Sequence, residues 1–173
     1  MLSYKEHIKL RHNIGSEGKM KICHLLKKEH IFLHMNPSDK NHLLKEFVVS
    51  LKKAEAIKND NVILEALLKR EGLGSTGLEK GFAVPHALVD VITEPVIALS
   101  VIKDGIDFNA ADNMPTYVFM LLLGSKKNPG SQLKILAHVC RLVKETNLIE
   151  DIKNAVSSEE IYKILECNEN TIE

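Results

Sequence analysis

Apolar residues recur at the three- and four-residue spacing of an amphipathic helix in the first half of the chain. One such stripe predicts a helix that follows Pro37 and has Ser38 as its N-cap. The residues of this stripe, expected to face inward, are Leu43, Leu44, Phe47, Val48 and Leu51. Ahead of it, the pattern predicts a short helix at 21–29 and a brief extended piece at 31–35.

A second stripe predicts a helix at 61–71, capped by Asp60 and ended by Gly72. Its inward-facing residues are expected to be Val62, Ile63, Ala66 and Leu67. A further helix is predicted at 131–144, and one or two more close the chain. The last of these has Ser157 as its expected N-cap and Glu160 at the capping-box position.

Three apolar runs have the length and composition of strands. A short run at 82–84 follows a glycine-rich stretch, and two longer runs lie at 96–102 and 116–123. The longer runs are almost continuously apolar, which is typical of strands covered on both faces. Because helices precede, separate and follow these strands, the pattern predicts an α/β fold with helices on both faces of the sheet.

The length of 173 residues favours a single domain with a substantial core. Residues 1–19 lack sustained apolar periodicity, so we interpret them as a flexible extension. The folded domain is predicted to span 20–167, with a C-terminal tail at 168–173.

The charge balance narrows the classes of partner. The chain is 45% hydrophobic and 27% charged, with a formal net charge of zero. Dispersed charges of both signs argue against a nucleic-acid or membrane-surface partner. Without a signal peptide or a long apolar segment, the chain is expected to be cytoplasmic. Its three widely spaced cysteines do not suggest a disulfide framework, and Cys140 is expected to be buried on the apolar side of its helix.

The stretch GSTGLEKGFAVPHALVD, residues 74–90, places His86 directly after a short strand and a proline. Neutral imidazole is a nucleophile near neutral pH, so this ring is suited to carry a phosphoryl group on one nitrogen. Arg70 and the hydroxyls of Ser75 and Thr76 are candidate ligands for such a dianion, as are the free amides of the glycine loop. From these residues alone, a purely structural histidine remains an open alternative.

Four runs in order carry a resemblance to a known family: REGLGSTGLEKGFAVPH, EPVIALSVIKDGIDFNAADNMPTYVFMLLL, QLKILAHVCRLV and SSEEIYKIL. Over residues 20–166 the chain resembles the fructose/mannitol/nitrogen type of EIIA domain of the bacterial phosphoenolpyruvate-dependent sugar phosphotransferase system. The resemblance implies a mixed, mostly parallel sheet flanked by helices. It implies that His86 is the phosphorylated residue, and Arg70 and Thr76 match the positions beside it.

The same resemblance implies the partners. An HPr-type phosphocarrier donates the phosphoryl group, and an EIIB domain or a regulated transporter or enzyme receives the group or the signal. No metal or organic cofactor is implied. Because the chain ends soon after the EIIA-like unit, the nitrogen-type regulatory branch is favoured, while sugar transport with separate chains and formation of a homo-oligomer stay open.

Two positions depart from the family pattern. Ala87 stands where a glycine is usual, and Gln132 stands where a histidine is usual. Helical geometry puts Gln132 on the side of Leu136 and Val143, so its side chain is expected to face the site. A glutamine can donate a hydrogen bond to a phosphoryl oxygen but cannot carry positive charge. An EIIA-like regulatory binding module with weak or no phosphotransfer is therefore the alternative function.

The remaining histidines are assigned no chemistry. His138 is expected to be solvated on the polar side of its helix and not to replace the missing histidine. His30 and His34 flank an apolar run without any accompanying metal-ligand spacing, so both are interpreted as surface residues.

Overall fold

The computed structural model describes residues 20–172. The chain order of its elements is α1 (Ile22–Leu25), β1 (Leu26–Phe32), α2 (Lys40–Lys53), α3 (Asp60–Gly72), β2 (Phe82–Ala83), β3 (His86–Val89), β4 (Val96–Ile106), β5 (Thr116–Ser125), α4 (Pro129–Glu145), α5 (Leu148–Lys153) and α6 (Ser158–Thr171). Both longer strands extend a few residues beyond the predicted ends.

The strands form one five-stranded sheet in the order β1-β4-β5-β2, with β3 also paired to β5. β1 runs parallel to β4, and both β2 and β3 run parallel to β5. The pairing of β4 with β5 is antiparallel. These pairings confirm the prediction of a mixed, mostly parallel sheet.

Helices cover both faces of the sheet, as predicted. On β5, the side chains of Val118, Met120 and Leu122 belong to one core cluster, which α1, α4, α5 and α6 complete. The alternate side chains, Phe119 and Leu121 among them, belong to a second cluster with α2 and α3. The near-continuous apolar run in the sequence therefore reflects a central strand that is buried on both faces.

The N-terminal helix prediction is wrong beyond Leu25. α1 is a single turn, and the chain then enters β1, so the extended segment begins before the predicted 31–35. The intervening residues Lys27, Lys28 and Glu29 are good helix formers that lie exposed on the strand. Parallel pairing with β4 buries Leu26 and Ile31 on either side of them. This long-range pairing overrides the local helix propensity.

Three local predictions on α2 and α3 are also wrong. The N-cap of α2 is Asp39, whose carboxylate accepts a hydrogen bond from the amide of His42, and not Ser38. Asp60 is the first residue of α3, and its cap residue Asn59 makes no side-chain cap bond. Val62 is 49% exposed, because the buried stripe of α3 is narrower than the predicted one and centres on Ile63 and Leu67.

The C-terminal helix extends into the predicted tail. Ser157 caps α6 as expected, by accepting a hydrogen bond from the amide of Glu160. The helix then continues to Thr171, so most of the predicted tail at 168–173 is helical, and Glu169 within it is 1% exposed. The carboxylate of Glu169 accepts hydrogen bonds from the amides of Ile22 and Cys23 at the start of the domain, and these bonds hold the last turn in place. The predicted extension at 1–19 lies outside the described residues.

Two burial predictions are reversed. Cys140 is exposed on α4, whereas Cys23 is the buried cysteine. His30 is 4% exposed, with its Nδ1 atom 3.1 Å from the carbonyl oxygen of Ile97 on β4. Within residues 20–172, no helix has the length and apolar character needed to cross a bilayer.

Candidate functional site

The break between β2 and β3 places His86. β2 ends at Ala83, and β3 begins at His86 further along the same neighbour, β5. Pro85 lies between them and has no N–H to donate, although its carbonyl accepts a hydrogen bond from Leu122. The ring is therefore presented at the start of a short edge strand, where it is partly exposed.

The hydrogen bonds of the ring define its tautomer. The Nδ1 atom of His86 lies 2.8 Å from the carbonyl oxygen of Val84. Because a carbonyl can only accept, Nδ1 carries the proton. The Nε2 atom lies 3.2 Å from Nε of Arg70, which donates to it. The ring is therefore neutral, and the lone pair of Nε2 faces a guanidinium.

The surroundings keep this ring neutral. Burial lowers the pKa of His86 below its usual value, and the positive charge of Arg70 lowers it further. The hydrogen bond to Val84 and the charge of Glu71 act in the opposite direction. The net downward shift of the pKa preserves a nucleophilic lone pair near neutral pH.

Arg70 lies in the last turn of α3, where the chain leaves the helix for the glycine loop, residues 72–77. Its Nη1 atom donates to the carbonyl oxygen of Gly74 at 3.0 Å. The guanidinium is thus held between the loop and the ring of His86. This contact brings together the two residues that the sequence analysis placed at the centre of the site.

The hydroxyls of Ser75 and Thr76 donate to groups other than the ring of His86. The hydroxyl of Thr76 donates to the carboxylate of Glu71 at 2.6 Å, and the side chain is buried. The hydroxyl of Ser75 donates to the carbonyl oxygen of Phe108, also at 2.6 Å. Each hydroxyl has one proton. To act as phosphate donors, these two groups would have to exchange their present partners.

Sequence reasoning missed Glu71. This carboxylate is 7% exposed and forms an ion pair of 2.8 Å with Lys40, at the start of α2. It also accepts hydrogen bonds from the amide and the hydroxyl of Thr76. One signal was available, since an acidic residue in the last turn of a helix opposes the helix dipole and calls for another reason to be there.

Gln132 lies on the buried side of α4, as predicted, and is 6% exposed. Its amide packs against Gly124, where a Cβ atom would come within 2.3 Å of Oε1. Gly124 pairs with Leu88, two residues after His86, so Gln132 packs on the sheet face that His86 shares. The Oε1 atom of Gln132 is buried without a hydrogen-bond partner.

Ala87, the other departure from the family pattern, is accommodated without strain. It is buried within β3, pairs with Leu123, and does not have a positive φ angle. A glycine is therefore not required at this position in this chain.

The other histidines lie in different surroundings. His34 is exposed, as predicted. The prediction that His138 is solvated is wrong, because its Nε2 atom lies 2.9 Å from the buried carboxylate of Glu169. The prediction that His30 is a surface residue is wrong, because its ring is buried beside the carbonyl oxygen of Ile97. Among residues 20–172, no group of three His, Cys, Asp or Glu side chains is arranged to hold a metal ion.

Comparison with known proteins identifies the family. The family model described as phosphoenolpyruvate-dependent sugar phosphotransferase system, EIIA 2, matches residues 24–168. The fructose-specific EIIA component of Haloferax volcanii is 30% identical over 138 residues, which cover 79% of this chain and 89% of that protein. A nitrogen regulatory protein of Bradyrhizobium diazoefficiens is 28% identical over 147 residues, which cover 84% of this chain and 95% of that protein.

Solved structures agree with this match. Nitrogen regulatory protein IIA-Ntr of Neisseria meningitidis superposes with a TM-score of 0.76 at 28% identity, over 83% of this chain and 98% of that one. The chain spans only 23% of the fructose-specific EIIABC component of Bacillus subtilis, with which it is 30% identical over 146 residues. Since the family model covers most of the sequence and the fold agrees, the chain belongs to the EIIA type 2 family of the phosphoenolpyruvate-dependent sugar phosphotransferase system.

Proposed function

We propose that this chain is a phosphoryl carrier that acts in the cytoplasm and takes a phosphoryl group from an HPr-type phosphocarrier on Nε2 of His86. The observation that carries the proposal is the ring itself. Its Nδ1 proton is bonded to Val84, and its Nε2 lone pair faces Arg70. A neutral ring with a fixed tautomer and a cation beside the attacking atom has the properties that nucleophilic transfer of a phosphoryl group needs.

The transfer requires no cofactor. The lone pair of Nε2 forms the new bond to phosphorus, while the bond from phosphorus to the ring nitrogen of the donor breaks and that nitrogen keeps the electron pair. His86 becomes positively charged in the process, and its Nδ1–H bond to Val84 strengthens as the charge develops. Transfer to an acceptor is the same step in reverse.

Arg70 serves the transfer by moving its donor from the ring to the phosphoryl oxygens. In the present state it occupies the lone pair of Nε2, so it must turn aside as the phosphorus approaches. Ser75 and Thr76 are supporting ligands that become available on exchange of their partners. Gln132 supplies a neutral amide on the same sheet face in place of a second charge.

The acceptor is proposed to be an EIIB domain or a regulated transporter or enzyme. An IIA mannitol enzyme of Escherichia coli, which shares the fold at 19% identity, has been solved in complex with phosphorylated enzyme IIB mannitol. The regulatory, nitrogen-type branch is the one we favour. Its support is the better superposition with IIA-Ntr, at a TM-score of 0.76, than with IIA mannitol, at 0.69.

A second function, a binding module with weak or no phosphotransfer, is favoured by one observation. Gln132 places a buried, unpartnered oxygen on the sheet face that His86 shares. An uncompensated acceptor of this kind disfavours a nearby dianion. In this alternative, the chain docks on its target without a phosphorylation cycle.

Phosphorylation with purified components decides between the two functions. The chain is mixed with phosphoenolpyruvate, enzyme I and a cognate HPr, and its mass is measured. We expect one acid-labile phosphoryl group, which His86→Ala abolishes and the control His138→Ala retains. Absence of the group with an active HPr would favour the binding module, and its appearance in Gln132→His alone would locate the defect at Gln132.

A further inference from the structure

We propose that Glu71 is a positioning residue for transfer at His86. Its buried carboxylate holds Thr76, whose carbonyl oxygen holds Val84, the acceptor of Nδ1. By holding the glycine loop, the carboxylate also restrains Gly74, which binds Arg70 at the Nε2 side of the ring. The inference deepens the proposed function and rests on it for the kinetic part of its test. The spectroscopic part, described below, does not depend on phosphorylation.

The first step is the pair of hydrogen bonds by which Glu71 holds the loop. One carboxylate oxygen accepts from the amide of Thr76 at 2.9 Å, and the other accepts from its hydroxyl at 2.6 Å. The two residues are five positions apart, so these bonds close the loop upon the end of α3. Because the carboxylate is 7% exposed, water cannot replace the bonds readily.

The second step leads from the loop to Nδ1 of His86. The carbonyl oxygen of Thr76 accepts a hydrogen bond of 3.1 Å from the amide of Val84. The carbonyl oxygen of Val84 is in turn the partner of Nδ1 of His86, at 2.8 Å. The position of Thr76 therefore affects the acceptor that selects the tautomer.

The third step leads from the loop to Nε2 of His86. The amide of Gly74 donates to the main-chain carbonyl oxygen of Glu71 at 3.2 Å, and the carbonyl oxygen of Gly74 accepts from Nη1 of Arg70 at 3.0 Å. This second bond turns the guanidinium so that its Nε reaches the ring. The same loop thus orients the cation that faces the attacking atom.

Lys40 makes the arrangement possible by pairing with the buried charge. Its ammonium lies 2.8 Å from Glu71, 3.3 Å from Oδ1 of Asn109, and 4.8 Å from the centre of the Phe108 ring. A buried carboxylate without such a partner would be strongly disfavoured. The residues that position His86 through Glu71 therefore include Lys40, the first residue of α2.

The test compares Glu71→Gln with the wild type by NMR titration of His86 and by the initial rate of phosphorylation from HPr. Loss of the negative charge of Glu71 would by itself lower the pKa of His86 further, whereas loosening of Arg70 and greater access of water both raise it. A rise therefore reports positioning rather than loss of a charge, and we expect the pKa of His86 to rise towards its usual value. We expect the rate to fall by about tenfold or more, in the range typical of groups that orient a reacting residue. The KM for HPr should change little, since Glu71 is buried.

Matched variants at Glu169 and Lys40 separate positioning from stability. Glu169→Gln removes another buried carboxylate that accepts backbone amides, and its partners are Ile22, Cys23 and His138 rather than residues of the glycine loop. It should lower the urea midpoint and leave the titration and the phosphorylation rate of His86 unchanged. Lys40→Arg, which keeps the charge, should retain more of the rate than Lys40→Met.

The inference is overturned if the pKa of His86 does not rise in Glu71→Gln, whatever the change in stability, or if the phosphorylation rate of this variant matches that of the wild type. Failure of the wild type to accept a phosphoryl group would overturn the proposed function instead. In that case the titration of His86 still decides whether Glu71 positions the ring.

Discussion

Burial favours the neutral form of two histidines of the sheet, and of these two His86 accepts a hydrogen bond from a guanidinium, whereas His30 is bonded to a carbonyl. The pKa of His30 is lowered chiefly by burial, while the carbonyl of Ile97 opposes the shift. The pKa of His86 is lowered by burial and additionally by Arg70. Position in the fold therefore gives the same residue type a structural role in one place and a proposed chemical role in the other.

The lowered pKa of both rings predicts a loss of stability in mild acid. For both rings the unfolded chain has the higher pKa and binds more protons, so the free energy of unfolding decreases as the pH falls below about 6.5. Asn at position 30 can retain the donor to Ile97 without titrating. We expect His30→Asn to reduce the drop in the urea midpoint between pH 7.5 and pH 5, a range set by the ordinary histidine pKa of about 6.5.

The exposed His34 provides the control for that measurement. His34→Asn should leave the pH dependence as it is, because the side chain is exposed in the folded protein. Part of the dependence should persist in His30→Asn, since the pKa of His86 is also lowered in the folded protein. An unchanged slope in His30→Asn would contradict the assignment of a buried neutral ring.

Of the residues around the site, the sequence led to those with recognisable chemistry. His86 and Arg70 meet as expected, because they stand at the ends of elements that pack together, α3 against β3. Ser75 and Thr76 were candidate phosphate ligands, but their protons are bonded elsewhere. Which partner a hydroxyl selects depends on groups distant in sequence, such as the carbonyl of Phe108, and no local pattern encodes that.

Among the elements, the glycine loop depends on close packing at its last residue, Gly77. Gly77 is buried against the segment between β4 and β5, and a Cβ atom there would lie 2.8 Å from Cα of Ala110. Backbone atoms cannot turn away as a flexible side chain can. The bonds from Glu71 to Thr76 and this contact at Gly77 therefore fix the same end of the loop.

Gly77→Ala is expected to reduce the free energy of unfolding by about 1–3 kcal/mol, as overpacking of a tight site does. It should also slow phosphorylation of His86, because the loop shifts. Gly72→Ala is the matched control, since a Cβ atom at Gly72 would meet nothing within 4 Å. Urea denaturation of both variants checks this, and equal stabilities would contradict the tight contact at Gly77.

In the molecule as a whole, the two ends of the domain are joined by one buried carboxylate. Glu169 near the end of α6 accepts hydrogen bonds from the amides of Ile22 and Cys23 and lies 2.9 Å from Nε2 of His138. Burial, together with Glu169, raises the pKa of the Cys23 thiol to about 12. The first and last described elements are thus held together by residues more than 140 positions apart.

Glu169→Ala should therefore destabilise the whole domain. Two buried amides and one histidine lose their acceptor, and we expect a loss of about 3 kcal/mol in the free energy of unfolding. Glu159→Gln is the control. Glu159 lies on the same helix as Glu169 but forms an exposed ion pair with Lys28 of β1, so this variant should have little effect. A comparable midpoint for both variants in urea would show that Glu169 does not link the ends.

The apolar periodicity of the sequence was sufficient to predict the class of fold. A central strand that is buried on both faces gives a continuous apolar run, and a helix that is buried on one side gives an apolar stripe. The residues around His86 likewise made Arg70 a candidate ligand, and the family resemblance placed it beside the ring, where the structure has it. Long-range pairing decided the rest. β1 is a strand in spite of its helix-forming residues, because it pairs with β4. Glu71, Lys40 and Glu169 are partners only after distant segments pack together, and their burial is what makes those contacts strong.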